Sequence, residues 1–176
     1  MFLGRSTRLD RFTAHDTELY HIWRNDAEVM SLTQTLLDSY SYEETERHVN
    51  GMLHQQDAKR YLIRDRETDQ PIGLISLLQL DYVNANAECT IDIAEKSYWG
   101  KGYGRDAMDT LMRYAFDELR LHRLSLKVFS YNDRAIRLYE KLGFQVEGRH
   151  RDAIFRNGQY HDIFFMACLS SEFRRQ

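Results

Sequence analysis

The sequence predicts an α/β fold on a mixed sheet, and three consecutive stretches carry that prediction. Ala87 to Ala94 alternates, with Cys89, Ile91 and Ile93 on one face and Glu88, Thr90 and Asp92 on the other, the period-two pattern of a strand. Asp106 to Leu119 places Met108, Leu111, Met112, Ala115, Phe116 and Leu119 at helical spacing, an apolar stripe that faces a core. Leu124, Leu126 and Val128 then alternate with Ser125 and Lys127. A helix crossing between two strands of one sheet makes them parallel.

The remaining elements follow in order. Arg8 to Phe12 reads as a short first strand, and Thr13 with Asp16 has the form of a capping box opening a helix to Arg24. Asn25-Asp26 ends or bends that helix, and Thr33 to Tyr40 is predicted irregular, the kind of segment that lines a cleft. Ser41 and Glu44 form a second capping box, for a helix to about Leu53. Tyr61 to Asp65 and Ile72 to Leu80 read as strands around a turn that holds Pro71, the single proline. Asn132 to Leu142 is a short helix with Ala135, Leu138, Tyr139 and Leu142 inward and Gly143 at its C-cap. Phe144 to Phe155 and Tyr160 to Leu169 form a hairpin about Asn157-Gly158. No linker or repeat divides the chain, so residues 1–176 are expected to form one domain with about four helices.

Between the first predicted strand and helix of the central unit lies Tyr98-Trp99-Gly100-Lys101-Gly102-Tyr103-Gly104-Arg105. A strand, a glycine turn and a helix start leave backbone N–H groups free at the positive end of a helix dipole, which is an anion site. Glycine lets backbone approach the anion without a Cβ in the way. The string is neither a Walker loop nor a dinucleotide fingerprint, since the spacing of both fails.

Bulk properties exclude several classes. A net charge of -3 does not suit a general nucleic-acid binder and fits a cationic or neutral substrate. No stretch approaches a membrane span, and Met1 to Leu9 has no apolar core of the kind a secretory signal needs. Cys89 and Cys168 are far apart and lack metal-ligand spacing, and none of the seven histidines, His54, His122, His150 and His161 among them, pairs with a second ligand. No metal is expected, and a reducing cytoplasm is the simplest setting.

The glycine loop resembles the acyl-CoA pyrophosphate loop of the GNAT superfamily of N-acetyltransferases, with Trp99 where Gln or Arg is more usual. One strand later, Asn132-Asp133-Arg134-Ala135 through Leu138-Tyr139 to Gly143-Phe144 is similar to the family's second motif. Leu121-His122-Arg123, Glu147-Gly148 and Asn157 to Asp162 extend the likeness to the branch holding spermidine and ribosomal-protein N-terminal acetyltransferases.

The resemblance implies a largely antiparallel sheet in which the strands matching Ala87–Ala94 and Leu124–Phe129 splay apart. It implies acetyl transfer from acetyl-CoA to a primary amine by direct attack in a ternary complex, the amine belonging to a small molecule or a peptide N-terminus. Pantetheine would bond the backbone of Ile91, Asp92 and Ile93. The pyrophosphate would sit at Trp99, Gly100, Lys101, Gly102, Tyr103, Gly104 and Arg105, with Asn132 and Arg134 as further cofactor contacts. Tyr139 matches the general acid; otherwise it is a helix-face tyrosine in the core. Glu88 is the first candidate for the base, with Asp92 as competitor, and each is otherwise a solvated strand carboxylate. Cys89 has no base beside it and reads as a core thiol. The competing class is a non-catalytic acyl-CoA sensor on the same fold. Leu32 to Asp38 lacks most of the acidic cluster with which the spermidine enzymes of the branch grip a polyamine, so the acceptor stays open, as does a homodimer or larger homo-oligomer.

Overall fold

The computed structural model describes residues 2–173; Met1 and residues 174–176, at the ends of the predicted domain, lie outside the described residues. The first strands are β1 (Phe2–Leu3) and β2 (Thr7–Arg11), followed by α1 (Thr17–Arg24), α2 (Ala27–Ser31) and α3 (Tyr42–His54). Next come β3 (Lys59–Asp65), β4 (Pro71–Asp81), β5 (Asn86–Ile93), α4 (Tyr103–Arg113), β6 (Arg123–Phe129) and α5 (Asp133–Leu142). The hairpin β7 (Gln145–Arg156) and β8 (Gln159–Leu169) ends the fold. The sheet has eight strands in the order β1-β2-β3-β4-β5-β6-β8-β7, and β5 with β6 is the parallel pair.

Both predicted capping boxes are present. Asp16 Oδ2 accepts from the Thr13 amide at 2.8 Å, and Glu44 Oε2 from the Ser41 amide at 2.8 Å. The fifth helix, α2, falls where the sequence predicts only an end or a bend. Asp26 caps it by accepting from Glu28 and Val29, and Val29 and Met30 are buried beneath it. The helix predicted from Asp106 begins earlier, at Tyr103, because Gly102 takes a left-handed conformation (φ 91°) and serves as its N-cap. Asp106 is instead a tie: its carboxylate accepts from the amides of Arg5, Ser6 and Thr7 at 2.8–3.0 Å, fastening the β1–β2 turn to α4. After Arg113 the helix widens into a π turn, Tyr114–Glu118.

The sheet carries a core on each face. Met108, Leu111 and Met112 of α4 pack with Ile63, Ile75, Leu77 and Leu124 on one side. Trp23, Val29 and Val49 of α1–α3 pack with Leu62 and Leu74 on the other. Between β5 and β6 the pairing covers Asn86↔Arg123, Ala87↔Leu124 and Glu88↔Ser125. Beyond it β5 stays with β4, Asp92 opposite Leu74, while β6 stays with β8. The two parallel strands therefore part after Glu88, and the gap between them opens the sheet.

Candidate active site

A cleft of about 1030 Å³ occupies that gap. One end is formed by the glycine loop and the start of α5, the other by α1, α3 and the face of β4–β5 that carries Ser76, Leu78, Glu88, Thr90 and Asp92.

At the loop end, Gly100 and Gly102 have positive φ (74° and 91°), and nothing lies within 4 Å of the position a Cβ would take at either. Among the described residues the amides of Gly100 to Arg105 find no backbone acceptor; the first one used is that of Asp106, to Gly102 O at 3.0 Å. These free donors at the N-terminus of α4 make a cradle for an anion. Arg105 lines the cleft with a buried Nε that has no hydrogen-bond partner among the described residues. Trp99 donates Nε1 to Ile93 O at 2.6 Å, and the Arg134 guanidinium lies 4.2 Å from the centre of its ring. Burial lowers the pKa of Arg134.

The other predicted contacts divide. Ile91, Asp92 and Ile93 line the cleft, although the Ile93 carbonyl already accepts from Trp99. Asn132 also lines it, but its side chain is engaged: Oδ1 accepts from the Ala135 amide at 3.2 Å and Nδ2 donates to Leu32 O at 3.4 Å, so it is both helix cap and strut. Tyr103 turns its ring edge-on to Tyr98, centroids 4.8 Å apart, and offers the loop only its amide. The Lys101 side chain is outside the cleft lining.

At the centre stands Tyr139, 7% exposed. Its hydroxyl has no hydrogen-bond partner among the described residues and faces the cleft. Burial, with the neighbouring Cys89 and Asp92, pushes its pKa above that of an ordinary phenol, so it holds its proton at neutral pH. Phe144 packs against the ring at 5.7 Å. Cys89 is buried, donates to Ser125 O at 3.4 Å, and is pushed up by burial; it is a core thiol, as the sequence predicts.

The two candidate carboxylates differ. Glu88 forms an ion pair with Lys127 at 2.9 Å. Asp92 has no cation within ion-pairing distance among the described residues, and burial raises its pKa to about 6; the Thr33 hydroxyl, otherwise unpartnered, offsets part of the rise. Gly73 of β4, opposite Ile93, lets the two strands approach closely here, because a Cβ there would lie 2.0 Å from the backbone O of Asp92.

Several contributors are missing from the sequence reading. Tyr131 donates to Ser31 O at 2.6 Å and Arg156 to Thr35 O at 3.0 Å, and these bonds hold the irregular segment so that Thr33, Gln34 and Thr35 form a wall of the cleft. Tyr20, Arg47, His48 and Arg60 line the end opposite the glycine loop. Among the described residues no cluster of three or more His, Cys, Asp or Glu side chains is arranged to hold a metal.

Residues 7–145 match the model of the acetyltransferase (GNAT) domain. The chain belongs to the GNAT acetyltransferase family. This acetyltransferase is 32% identical, over 90% of both chains, to a spermidine N(1)-acetyltransferase of Vibrio cholerae serotype O1. It is 39% identical over 100 residues, 57% of this chain and 54% of the other, to a putative ribosomal N-acetyltransferase, YdaF, of Bacillus subtilis. The crystal structure of the spermidine N-acetyltransferase from Vibrio cholerae in complex with CoA and spermine superposes with a TM-score of 0.86 at 30% identity, covering 95% of this chain and 97% of that one. The fold is the predicted one, and the chain is an N-acetyltransferase.

Proposed function

We propose that the protein transfers an acetyl group from acetyl-CoA to a primary amine by direct attack in a ternary complex, with Tyr139 as general acid. The observation that carries this reading is Tyr139: its ring is buried, it lines the cleft where β5 and β6 part, and its hydroxyl has no hydrogen-bond partner among the described residues. A hydroxyl that lines a cleft without a protein partner is available to a bound ligand. Acetyl-CoA supplies an activated acetyl thioester. The free amides of Gly100 to Arg105 and the unpartnered Arg105 Nε suit its pyrophosphate. Arg134, held on the Trp99 ring, adds a second cation at that end.

The acceptor amine has to lose a proton to attack, and the departing thiolate has to gain one. Tyr139, protonated at neutral pH, donates the second. The sequence favours Glu88 as base, but its pairing with Lys127 ties it to a cation, which favours Asp92. Asp92 is ionised above about pH 6 and faces the cleft, so it can take the first proton directly or through water. Two free, buried cysteines suit a reducing cytoplasm.

The test is a broad amine screen followed by free-thiol release, using protein whose acetyl-CoA binding has been measured by calorimetry. Turnover on at least one primary amine is expected. Tight acetyl-CoA binding without turnover on any amine would favour the sensor reading.

A further inference from the structure

The charge of the cleft runs against that of the whole chain. The protein carries a net charge of -3, yet among the described residues seven lysines and arginines line the cleft against two carboxylates, Glu88 and Asp92. At the loop end Arg105 and Arg134 suit the pyrophosphate of the proposed cofactor, and Arg137 and Lys141 lie on α5 behind them. At the acceptor end Lys127 is neutralised by Glu88. That leaves Asp92 as a carboxylate with no cation within ion-pairing distance, and Arg47 and Arg60 as cations with no carboxylate within that distance, among the described residues, although Glu43 and Asp57 lie near enough to be felt by Arg47 and Arg60.

Resting on the acetyl-transfer reading, we propose that the acceptor is a small amino-carboxylate, its amine held at Asp92 and its carboxylate at Arg60 and Arg47. Arg60 is pre-oriented for such a role. Its Nη1 donates to Met52 O at 2.7 Å and its Nη2 to Gln55 Oε1, which fixes the guanidinium at the end of α3. A desolvated guanidinium held in one orientation binds a planar carboxylate with little further ordering. Burial lowers the Arg60 pKa, the mark of a desolvated cation lacking full compensation. Arg47 stands exposed on the rim of the same cleft, on α3.

Tyr20 connects the two ends. Its phenol is raised to about 12, by burial first and then by Asp92, while Arg24 and Arg60 pull it back. One tyrosine side chain therefore senses both the carboxylate that would hold an amine and the guanidinium that would hold a carboxylate. His48, 3.4 Å from the Tyr20 hydroxyl, is kept neutral by burial and by Arg24 and Arg60, so it does not compete as a cation. A polyamine, with a positive charge at each end, finds one partner at Asp92 and repulsion at Arg60 and Arg47. An amino-carboxylate finds a partner at both.

Matched acceptors test this directly. Kinetics by free-thiol release would be run with phenylalanine and methionine, each against its primary amide, and with spermidine. The amide keeps the amine and removes the carboxylate. Because the amide's amine is the less basic of the two, more of it is neutral at pH 7.5, so chemistry alone favours the amide. The wild-type enzyme is expected to prefer the acid in kcat/KM by at least about tenfold, the lower range for a charge-assisted hydrogen bond. That acid-to-amide ratio is expected to fall by about tenfold in Arg47→Gln and Arg60→Met and to recover in part in Arg60→Lys. Arg47→Gln keeps the test sound if Arg60→Met fails to fold, since Arg47 bonds within its own helix alone, to Glu43 O at 3.4 Å. A wild-type preference for the amide or for spermidine, or a ratio unmoved by Arg47→Gln, would overturn the amino-carboxylate while leaving acetyl transfer standing. Absence of turnover on every amine by protein that binds acetyl-CoA would instead remove acetyl transfer itself, and the acceptor assignment with it.

Discussion

Glu88 and Asp92 project from the same face of β5 and are in opposite electrostatic states: Glu88 is paired with Lys127 at 2.9 Å, and among the described residues Asp92 has no cation within ion-pairing distance. The difference follows from the splay. Glu88 sits at the last paired position of β5 and β6, where Lys127 of β6 is still in reach, whereas Asp92 lies beyond it with the neighbouring strand gone. The strand geometry that opens the cleft also leaves one carboxylate within it free to accept a proton.

Asp92→Asn is expected to lower activity and raise stability. The folded pKa, about 6, lies above the usual carboxylate value, so the folded protein binds this proton more tightly than the unfolded chain. That contribution is complete below about pH 4 and is lost as pH rises through about 6. Removing the charge should therefore stabilise the protein at pH 7.5 by about 1–2 kcal/mol, after discounting for the carboxylate's access to cleft water, and by almost nothing at pH 4. Urea denaturation at both pH values measures the gain. The same variant should lose roughly 10²–10⁴-fold in kcat and should lack the acid limb near pH 6. Equal stability of the two proteins at pH 7.5, or a nearly intact rate, contradicts this account of Asp92.

Glu88→Gln is expected to behave differently. It breaks an ion pair whose lysine side chain is 50% exposed, so the stability loss should stay under about 1 kcal/mol. Its kcat should stay within about fivefold of wild type, well short of the loss of a general base. A collapse in kcat here, with Asp92→Asn nearly unaffected, would reverse the two roles.

The glycines of the loop are not equivalent. Gly102 sits at φ 91°, so any L residue there is strained, whereas a Cβ on Gly104 would meet only Ile93 and Leu138 side chains at 3.6 and 3.8 Å. Gly102→Val should therefore weaken acetyl-CoA binding strongly, and Gly104→Ala should bind within about threefold of wild type, since it adds no strain. Calorimetry on both, with circular dichroism as the check on folding, separates them. Unchanged affinity in folded Gly102→Val would move the phosphate cradle elsewhere.

What the sequence made legible was local chemistry. Alternation marked β5 and β6, the capping boxes of Thr13 and Ser41 marked helix starts, and the left-handed Gly143 marked the end of α5 (φ 104°). The glycine loop and Tyr139 were legible for the same reason, because each lies in a short pattern with a fixed neighbourhood. The other end was legible only in part: the segment from Thr33 was expected to line a cleft and Asp92 stood as a candidate base, but Arg60 and Tyr20, from β3 and α1, are brought to the same cleft only by long-range packing. The burial that raises Asp92, and the close approach of Gly73 to its backbone, have no counterpart in local spacing. α2 escaped because its signal, one Asp26 cap before a five-residue helix, is too short to show periodicity.

The central claim is that the unpartnered Tyr139 hydroxyl protonates the departing thiolate, and Tyr139→Phe tests it most directly. The ring and its packing on Phe144 are kept, and since the hydroxyl makes no hydrogen bond within the described protein, stability should change little. With the acceptor that turns over best, kcat measured across pH should fall by roughly 10²–10⁴-fold, with acetyl-CoA affinity nearly constant and the phenol's contribution gone from the alkaline limb. A folded Tyr139→Phe enzyme that keeps more than about a third of wild-type kcat would contradict the claim, because so small an effect leaves no room for a committed proton donor.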